Sequence, residues 1–210
     1  MVVDFNRTVA YMCPGCGDMT FGEFSLFELS GERGISVKCD CGKSQLKIFP
    51  KTKTLYSVSL RCLVCDEEHE FDVPLIDFMR QSCIDFSCPD ILIGLAYIGK
   101  KEAVMDAVKE NDTYIEEMVA ACGLEHTGKN GITMLKALDK IQELSDDGNL
   151  TCACGSAMID VDVLEDELVL ECCMCGATVS FTADEIRNGN FSDISEIEIQ
   201  KSPESAKDKN

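Results

Sequence analysis

Cysteine carries most of the chemistry this chain offers. There are fourteen in 210 residues, and most fall in close pairs: Cys13-x2-Cys16, Cys39-x-Cys41, Cys62-x2-Cys65, Cys152-x-Cys154 and Cys172-x2-Cys175. Two thiolates at this spacing sit on one tight turn and face the same way. They supply half of a tetrahedral metal site, which a second pair closes. Glycine follows the second cysteine at Gly17, Gly42, Gly155 and Gly176; its freedom to adopt φ > 0 lets the turn curl its amides toward sulfur. Asp66 holds that place in the third pair, a tolerated choice in the left-handed region. The N-terminus lacks the basic-then-apolar layout of an export signal. The expected compartment is therefore the cytosol, where thiols stay reduced and close pairs bind metal rather than forming disulfides.

The residues before each pair alternate. Val9, Tyr11 and Cys13 lie two apart, as do Ile35, Val37 and Cys39; Val58, Leu60 and Cys62; and Leu168, Leu170 and Cys172. Period 2 marks a half-buried strand that delivers its cysteine on the core face, and this phase selects Cys172 over Cys173 as the ligand. Strands are also expected after the pairs, at 45–49, 70–73 and 177–181. Hairpins are expected where 24–29 and 35–38 flank the turn 30–34, and where 159–163 and 168–170 flank 165–167. An internal repeat is visible. A C-x-C pair, a hairpin, a C-x2-C pair, a strand and a short helical stretch occur once over 39–80 (helix 74–80) and again over 152–187 (helix 183–187).

Strand, turn and strand with cysteine knuckles at one end resemble the zinc-ribbon class in general. The resemblance implies a metal and a fold, and implies no activity. The fold class expected is α+β: an N-terminal β-meander of ribbon hairpins over 1–99, a central helical section over 100–149, a C-terminal ribbon over 150–200 and a disordered tail over 201–210. The ligands expected are Cys13, Cys16, Cys39, Cys41, Cys62, Cys65, Cys88, Cys152, Cys154, Cys172 and Cys175. Cys152, Cys154, Cys172 and Cys175 make one quartet. In the N-terminal half, sequential closure joins Cys13, Cys16, Cys39 and Cys41, whereas the repeat would join Cys39, Cys41, Cys62 and Cys65. Sequential closure is preferred, because the other pairing leaves Cys13 and Cys16 to be completed only by distant residues. Cys88 follows Ile84 and Phe86 in strand phase; Cys83 and His69 are the reserves for that site. About three Zn²⁺ are expected, or two if this half-site fails. Mononuclear iron on the same thiolates would instead make an electron carrier.

The run Ile91–Ile98 suits a buried strand. Beyond it, Val104, Ala107 and Val108 take helical spacing. Asn111-Asp112 is an expected interruption, and Thr113-x-x-Glu116 is a capping box for a second helix with Ile115, Met118, Val119 and Cys122 inward and Gly123 as its stop. After a turn at 129–131 comes a third helix with Leu135, Leu138, Ile141 and Leu144 on one stripe.

Charge constrains the partners. The chain holds 38 acidic and 19 basic residues, a net −19. Residues 62–210 carry 32 acidic and 11 basic, while 1–61 carry six and eight. Such a field repels phosphate backbones. One basic strip runs the other way, over 38–61: Lys38, Lys43, Lys47, Lys51, Lys53 and Arg61, with Phe49 and Tyr56 beside it. No Gly-rich phosphate loop, no Ser/His/Asp order and no HExxH is present, and complete cysteine quartets are closed structural sites. The sequence therefore points to a non-enzymatic cytoplasmic zinc protein that acts as a protein–protein interaction or scaffold module. The alternative is a nucleic-acid-associated regulator using the basic strip.

Overall fold

The computed structural model describes residues 5–31, 34–89, 92–189 and 191–200. The chain separates into two compact units, Met1–Met118 and Val119–Asn210. The class is α+β, with mostly antiparallel strands. The tail expected over 201–210 lies outside the described residues, as do 32–33 of the turn expected over 30–34.

The first unit holds β1 (Asn6–Met12), β2 (Met19–Ser25), β3 (Ile35–Lys38), β4 (Gln45–Pro50), β5 (Leu55–Arg61), β6 (Glu68–Pro74), the short helix α1 (Leu75–Arg80), β7 (Cys83–Ser87) and β8 (Gly94–Gly99), then α2 (Lys101–Ala121), in which the unit boundary falls. Two antiparallel four-stranded sheets form, ordered β2-β1-β8-β7 and β3-β4-β5-β6. The hairpin expected between 24–29 and 35–38 does not exist. Thr20, Gly22 and Phe24 pair with β1, and β3 pairs with β4. Leu29 sits instead in a 3-10 turn, Glu28–Ser30, between them.

The period-2 phase places one core. Val9, Tyr11, Cys13, Leu46, Ile48, Val58, Leu60, Cys62, Phe86 and Cys88 all project into a single buried cluster. Each fully buried aliphatic side chain there contributes roughly 1.5–3 kcal/mol of transfer free energy. The opposite phase of β1 and β8 is buried too: Ala10 and Tyr97 meet Val104 and Val108 of α2. These two strands are therefore covered on both faces, which accounts for the buried Arg7. Its Nε donates to the Phe78 carbonyl (2.7 Å) and its guanidinium reaches the Met79 carbonyl (3.4 Å), satisfying carbonyls in the last turn of α1.

Two expectations fail here. The strand expected over 91–98 begins only at Gly94; Leu92 is exposed, and 91 is outside the described residues. Helix α2 runs unbroken through Asn111-Asp112, and no capping box forms at Thr113, whose hydroxyl donates back to the Lys109 carbonyl (3.0 Å). Asn111 stays helical because its side chain has a tertiary use. Its Oδ1 accepts from the Gly94 N–H (3.1 Å) and its Nδ2 donates to the Gly94 carbonyl (3.3 Å).

Toward the end of α2, Ile115 and Met118 are half-buried and Val119 is buried, while Cys122, expected inward, is exposed. Gly123 stops the helix at φ 74°. A 3-10 segment, Glu125–Asn130, leads into α3 (Gly131–Asp146), where a turn was expected. Its buried stripe is Met134, Ala137, Ile141 and Leu144; Leu135 and Leu138 are only half-buried. Then come β9 (Leu150–Cys152), β10 (Ile159–Val163), β11 (Glu167–Cys172), β12 (Thr178–Thr182), α4 (Ala183–Asn188) and β13 (Ile197–Ile199). β10, β11 and β12 form an antiparallel meander, and β13 pairs in parallel with β9. Thr182 and Glu185 form a reciprocal capping box on α4.

Candidate metal centres

Each strand ends where its cysteine begins a turn. The backbone N–H of Cys13 donates to the Asp18 carbonyl (3.0 Å), that of Cys62 to Glu67 (2.8 Å) and that of Cys172 to Ala177 (2.8 Å). Gly17 and Gly176 close the turns by donating to Cys13 and Cys172 (2.8 Å each) from φ 77° and 68°. Cys88 makes the same turn with one cysteine. Its N–H donates to Ile93 (2.9 Å), and Leu92, at φ 56°, donates back to the Cys88 carbonyl (2.8 Å). A β-branched or bulky residue at positive φ is costly, so the hydrogen bonds of the turn hold Leu92 in a place that suits glycine.

Among the described residues, three groups bring four candidate ligand atoms within 4.8 Å of one another. The first is Cys13, Cys16, Cys39 and Cys41; the second is Cys62, Cys65, His69 and Cys88; the third is Cys152, Cys154, Cys172 and Cys175. Every cysteine named above as an expected ligand lies in one of them. His69, a reserve in the sequence, joins the second group. Cys83, Cys122 and Cys173 lie in none.

Sulfur spacing tests what these groups can hold. The Cys13–Cys41 and Cys16–Cys39 sulfurs are 3.5 and 3.7 Å apart, and the Cys152–Cys175 and Cys154–Cys172 sulfurs 3.5 and 3.6 Å. A tetrahedral ion with metal–sulfur bonds of about 2.3 Å sets its ligands about 3.8 Å apart, whereas a disulfide needs about 2.0 Å. In the second group, the Cys65 sulfur lies 3.2 Å from His69 Nε2, near the roughly 3.5 Å edge of a mixed sulfur–nitrogen tetrahedron. The donor sets fit a tetrahedral ion.

His69 reaches the group through register. It pairs with Leu60 across β5–β6, and His69, Phe71 and Val73 share one strand phase. In the sequence, its place four residues after Cys65 was the signal for it.

The proton balance in each quartet has a physical cause. In the third group burial opposes the Cys172 thiolate, yet backbone N–H groups of Cys175 and Met174 and the thiols of Cys154 and Cys152 outweigh it and bring Cys172 down to about 6. Cys152 receives a backbone N–H from Cys154, but burial and the three neighbouring thiols push it up to about 12. In the first group burial again opposes ionisation of Cys39; Thr20, Cys41 and Cys13 bring it down to about 7. Cys16 is pushed up by burial and by Cys13 and Cys39. Each quartet thus ionises one thiol readily and resists the next, because clustered negative charge needs a cation to offset it.

The basic strip is partly neutralised within its own sheet. Lys51 pairs with Glu70 (2.8 Å) and Asp72 (2.6 Å) of β6, and Arg61 with Asp66 (3.9 Å). Ladder register places Lys47 beside Ser59 and Ser59 beside Glu70, so the acidic face of β6 lies two strands from Lys47 of β4. Among the described residues, no helix is long and apolar enough to cross a membrane.

Comparison of the chain with protein-family models, with curated proteins and with solved structures finds no match.

Proposed function

We propose that this is a non-enzymatic zinc protein with three structural Zn²⁺ sites of ribbon type, which presents its surface to a protein partner in the cytosol. The observation that carries the reading is that all three donor sets are complete: two hold four cysteines, and one holds three cysteines and a histidine. A full set leaves no open position for substrate, and an imidazole among three thiolates is a zinc combination. Bound there, the ion supplies a cross-link between turns that are far apart in sequence.

Two further features support the interaction role. The acidic body disfavours nucleic acid. Phe27, Met158 and Met174 stand more than 60% exposed, and methionine is an adaptable contact residue.

The test is elemental analysis of protein purified without chelator, joined to melting with and without a strong chelator. Three zinc per chain and a melting temperature that falls on chelation are expected. A red, iron-loaded protein, or a metal-free one whose melting is indifferent to chelator, would overturn the reading. Anisotropy titration with mixed-sequence DNA and RNA should show no binding at physiological salt. Low-micromolar binding lost on charge reversal at Lys43, Lys47 and Lys53 would replace the protein partner with a nucleic acid.

A further inference from the structure

A cavity of about 330 Å³ opens in the first unit between β7, β8 and α2. It is distinct from the three cysteine groups. Cys83, Asp85 and Tyr97 line it from the strands, and Glu110, Asn111 and Tyr114 from the helix.

The wall is built around Gly94. Asn111 holds both the N–H and the carbonyl of Gly94, and the Tyr97 hydroxyl lies where a Cβ at Gly94 would be, 1.8 Å from that position. Any larger residue would displace the hydroxyl. Tyr97 is only 4% exposed, yet among the described residues its hydroxyl makes no hydrogen bond. The ring is buried but the oxygen opens into the cavity, and a phenol oxygen so placed, with no protein partner, is available to bond a group bound there.

Charge decides what it would recognise. Asp85 and Glu110 bring two carboxylates to the rim, Asp85 also accepting from the Ser87 hydroxyl (3.2 Å). None of the lining residues is basic. Burial pushes the Tyr97 phenol up, and the negative charge of Asp85, Cys83, Asp112 and Glu110 pushes it the same way. The hydroxyl therefore stays neutral in a negative field, with its oxygen able to accept. Tyr114, half exposed, adds an aromatic face, which attracts cations.

A metal ion does not suit the site. Cys83, Asp85 and Glu110 do not form one of the groups that the described residues bring within coordinating distance. The cavity sits at the small end of ligand pockets, which suits a single short chain. We propose that this cavity binds an alkylammonium group, with the Tyr97 hydroxyl, the Asp85 and Glu110 carboxylates and the Tyr114 ring as its recognition elements. The ammonium has two sources, a free small amine or the lysine side chain of a protein.

The experiment is calorimetric titration of the metal-loaded full chain with n-pentylamine, with 1-pentanol as a neutral match, and with lysine capped at both backbone ends. Saturable one-to-one binding of an ammonium probe, at least about tenfold tighter than pentanol, is expected. Asp85→Asn with Glu110→Gln should weaken it by about tenfold or more, and Tyr97→Phe by a smaller factor. Tighter binding of capped lysine assigns the site to a protein side chain; tighter binding of pentylamine assigns it to a free amine. Equal affinity for pentanol, no binding at millimolar amine, or no response to loss of the carboxylates in a folded variant would overturn the proposal. If the double variant fails to fold, the amine-against-alcohol comparison on the unaltered protein decides. Because metal content is measured on the same samples, failure here is separate from failure of the zinc reading.

Discussion

The two meanders, β4-β5-β6 with α1 and β10-β11-β12 with α4, follow one plan: hairpin, C-x2-C turn, strand, six-residue helix. Each is preceded by a C-x-C pair, yet the pairs close differently. In the second unit Cys152 and Cys154 meet Cys172 and Cys175. In the first, Cys39 and Cys41 meet Cys13 and Cys16, while Cys62 and Cys65 meet His69 and Cys88.

Strand pairing explains the difference. Cys39 and Cys41 sit in the turn between β3 and β4, and β3 is hydrogen-bonded into the sheet. The β5–β6 turn that carries Cys62 and Cys65 is two strand spacings away, about 10 Å, too far to share an ion. In the second unit β9 pairs with β13 and not with β10, so its C-x-C pair can fold over the C-x2-C turn. Cysteine spacing marks half-sites; the hydrogen-bond ladder decides which halves meet.

The largest effects should come from breaking the third group. Cys172→Ser should cost about one zinc equivalent and unfold the second unit, since binding free energy at such sites is folding free energy. Cys173→Ser should cost neither, because Cys173 is exposed and outside the group. Zinc release under mild chelation, followed with a chromogenic dye, checks both; equal release from the two variants would defeat the strand-phase argument.

His69→Ala should also cost about one equivalent but leave the first unit folded, because its core of two sheets does not depend on that one ligand. His69→Cys should restore the metal. Elemental analysis beside far-UV circular dichroism separates these outcomes. A His69→Ala protein that keeps three zinc would remove His69 from the ligand set.

Core truncation comes next. Leu60→Ala in β5 and Leu170→Ala in β11 each empty a fully buried position directly before a metal turn. Each should cost about 2–5 kcal/mol, read from denaturant unfolding of the metal-loaded protein. Leu170→Ala should also speed zinc release from the third group alone, and Leu60→Ala from the second.

The smallest contrast lies in the two short helices. Pro74 caps α1 with no side-chain hydrogen bond, whereas Thr182 and Glu185 cap α4 reciprocally. Thr182→Ala should destabilise the second unit by about 1 kcal/mol. The Thr182 backbone N–H, then its hydroxyl, hold the Glu185 carboxyl below the usual carboxylate range. Its contribution is therefore present above the unfolded value, near pH ~4.3, and fades as pH falls through the lowered folded value. Glu185→Gln should flatten that part of the acid limb of the stability curve.

Much of the ligand arrangement was legible in the residues because it is local. A thiol pair on a tight turn and a period-2 run before it span only a short stretch of chain, and that phase alone separates Cys172 from Cys173. The α+β class follows from the same runs together with the helical spacing around α3. Where the reading failed, a distant partner had overruled local preference. Asn111 looks like a helix interruption until Gly94 supplies the backbone groups its amide binds. Strand β2 looks like half of a hairpin with β3 until β1 takes its ladder. His69 is one histidine on a strand until the β5–β6 register and the Cys88 turn bring three thiols to it. Local sequence determined which side chains could be ligands, because turn chemistry and strand phase act over a few residues. Chain proximity also pointed to the first and third quartets, and only the tertiary structure decided that Cys88 and His69 close the second group on Cys62 and Cys65, because sheet order sets separations of several ångströms between residues that the chain keeps apart.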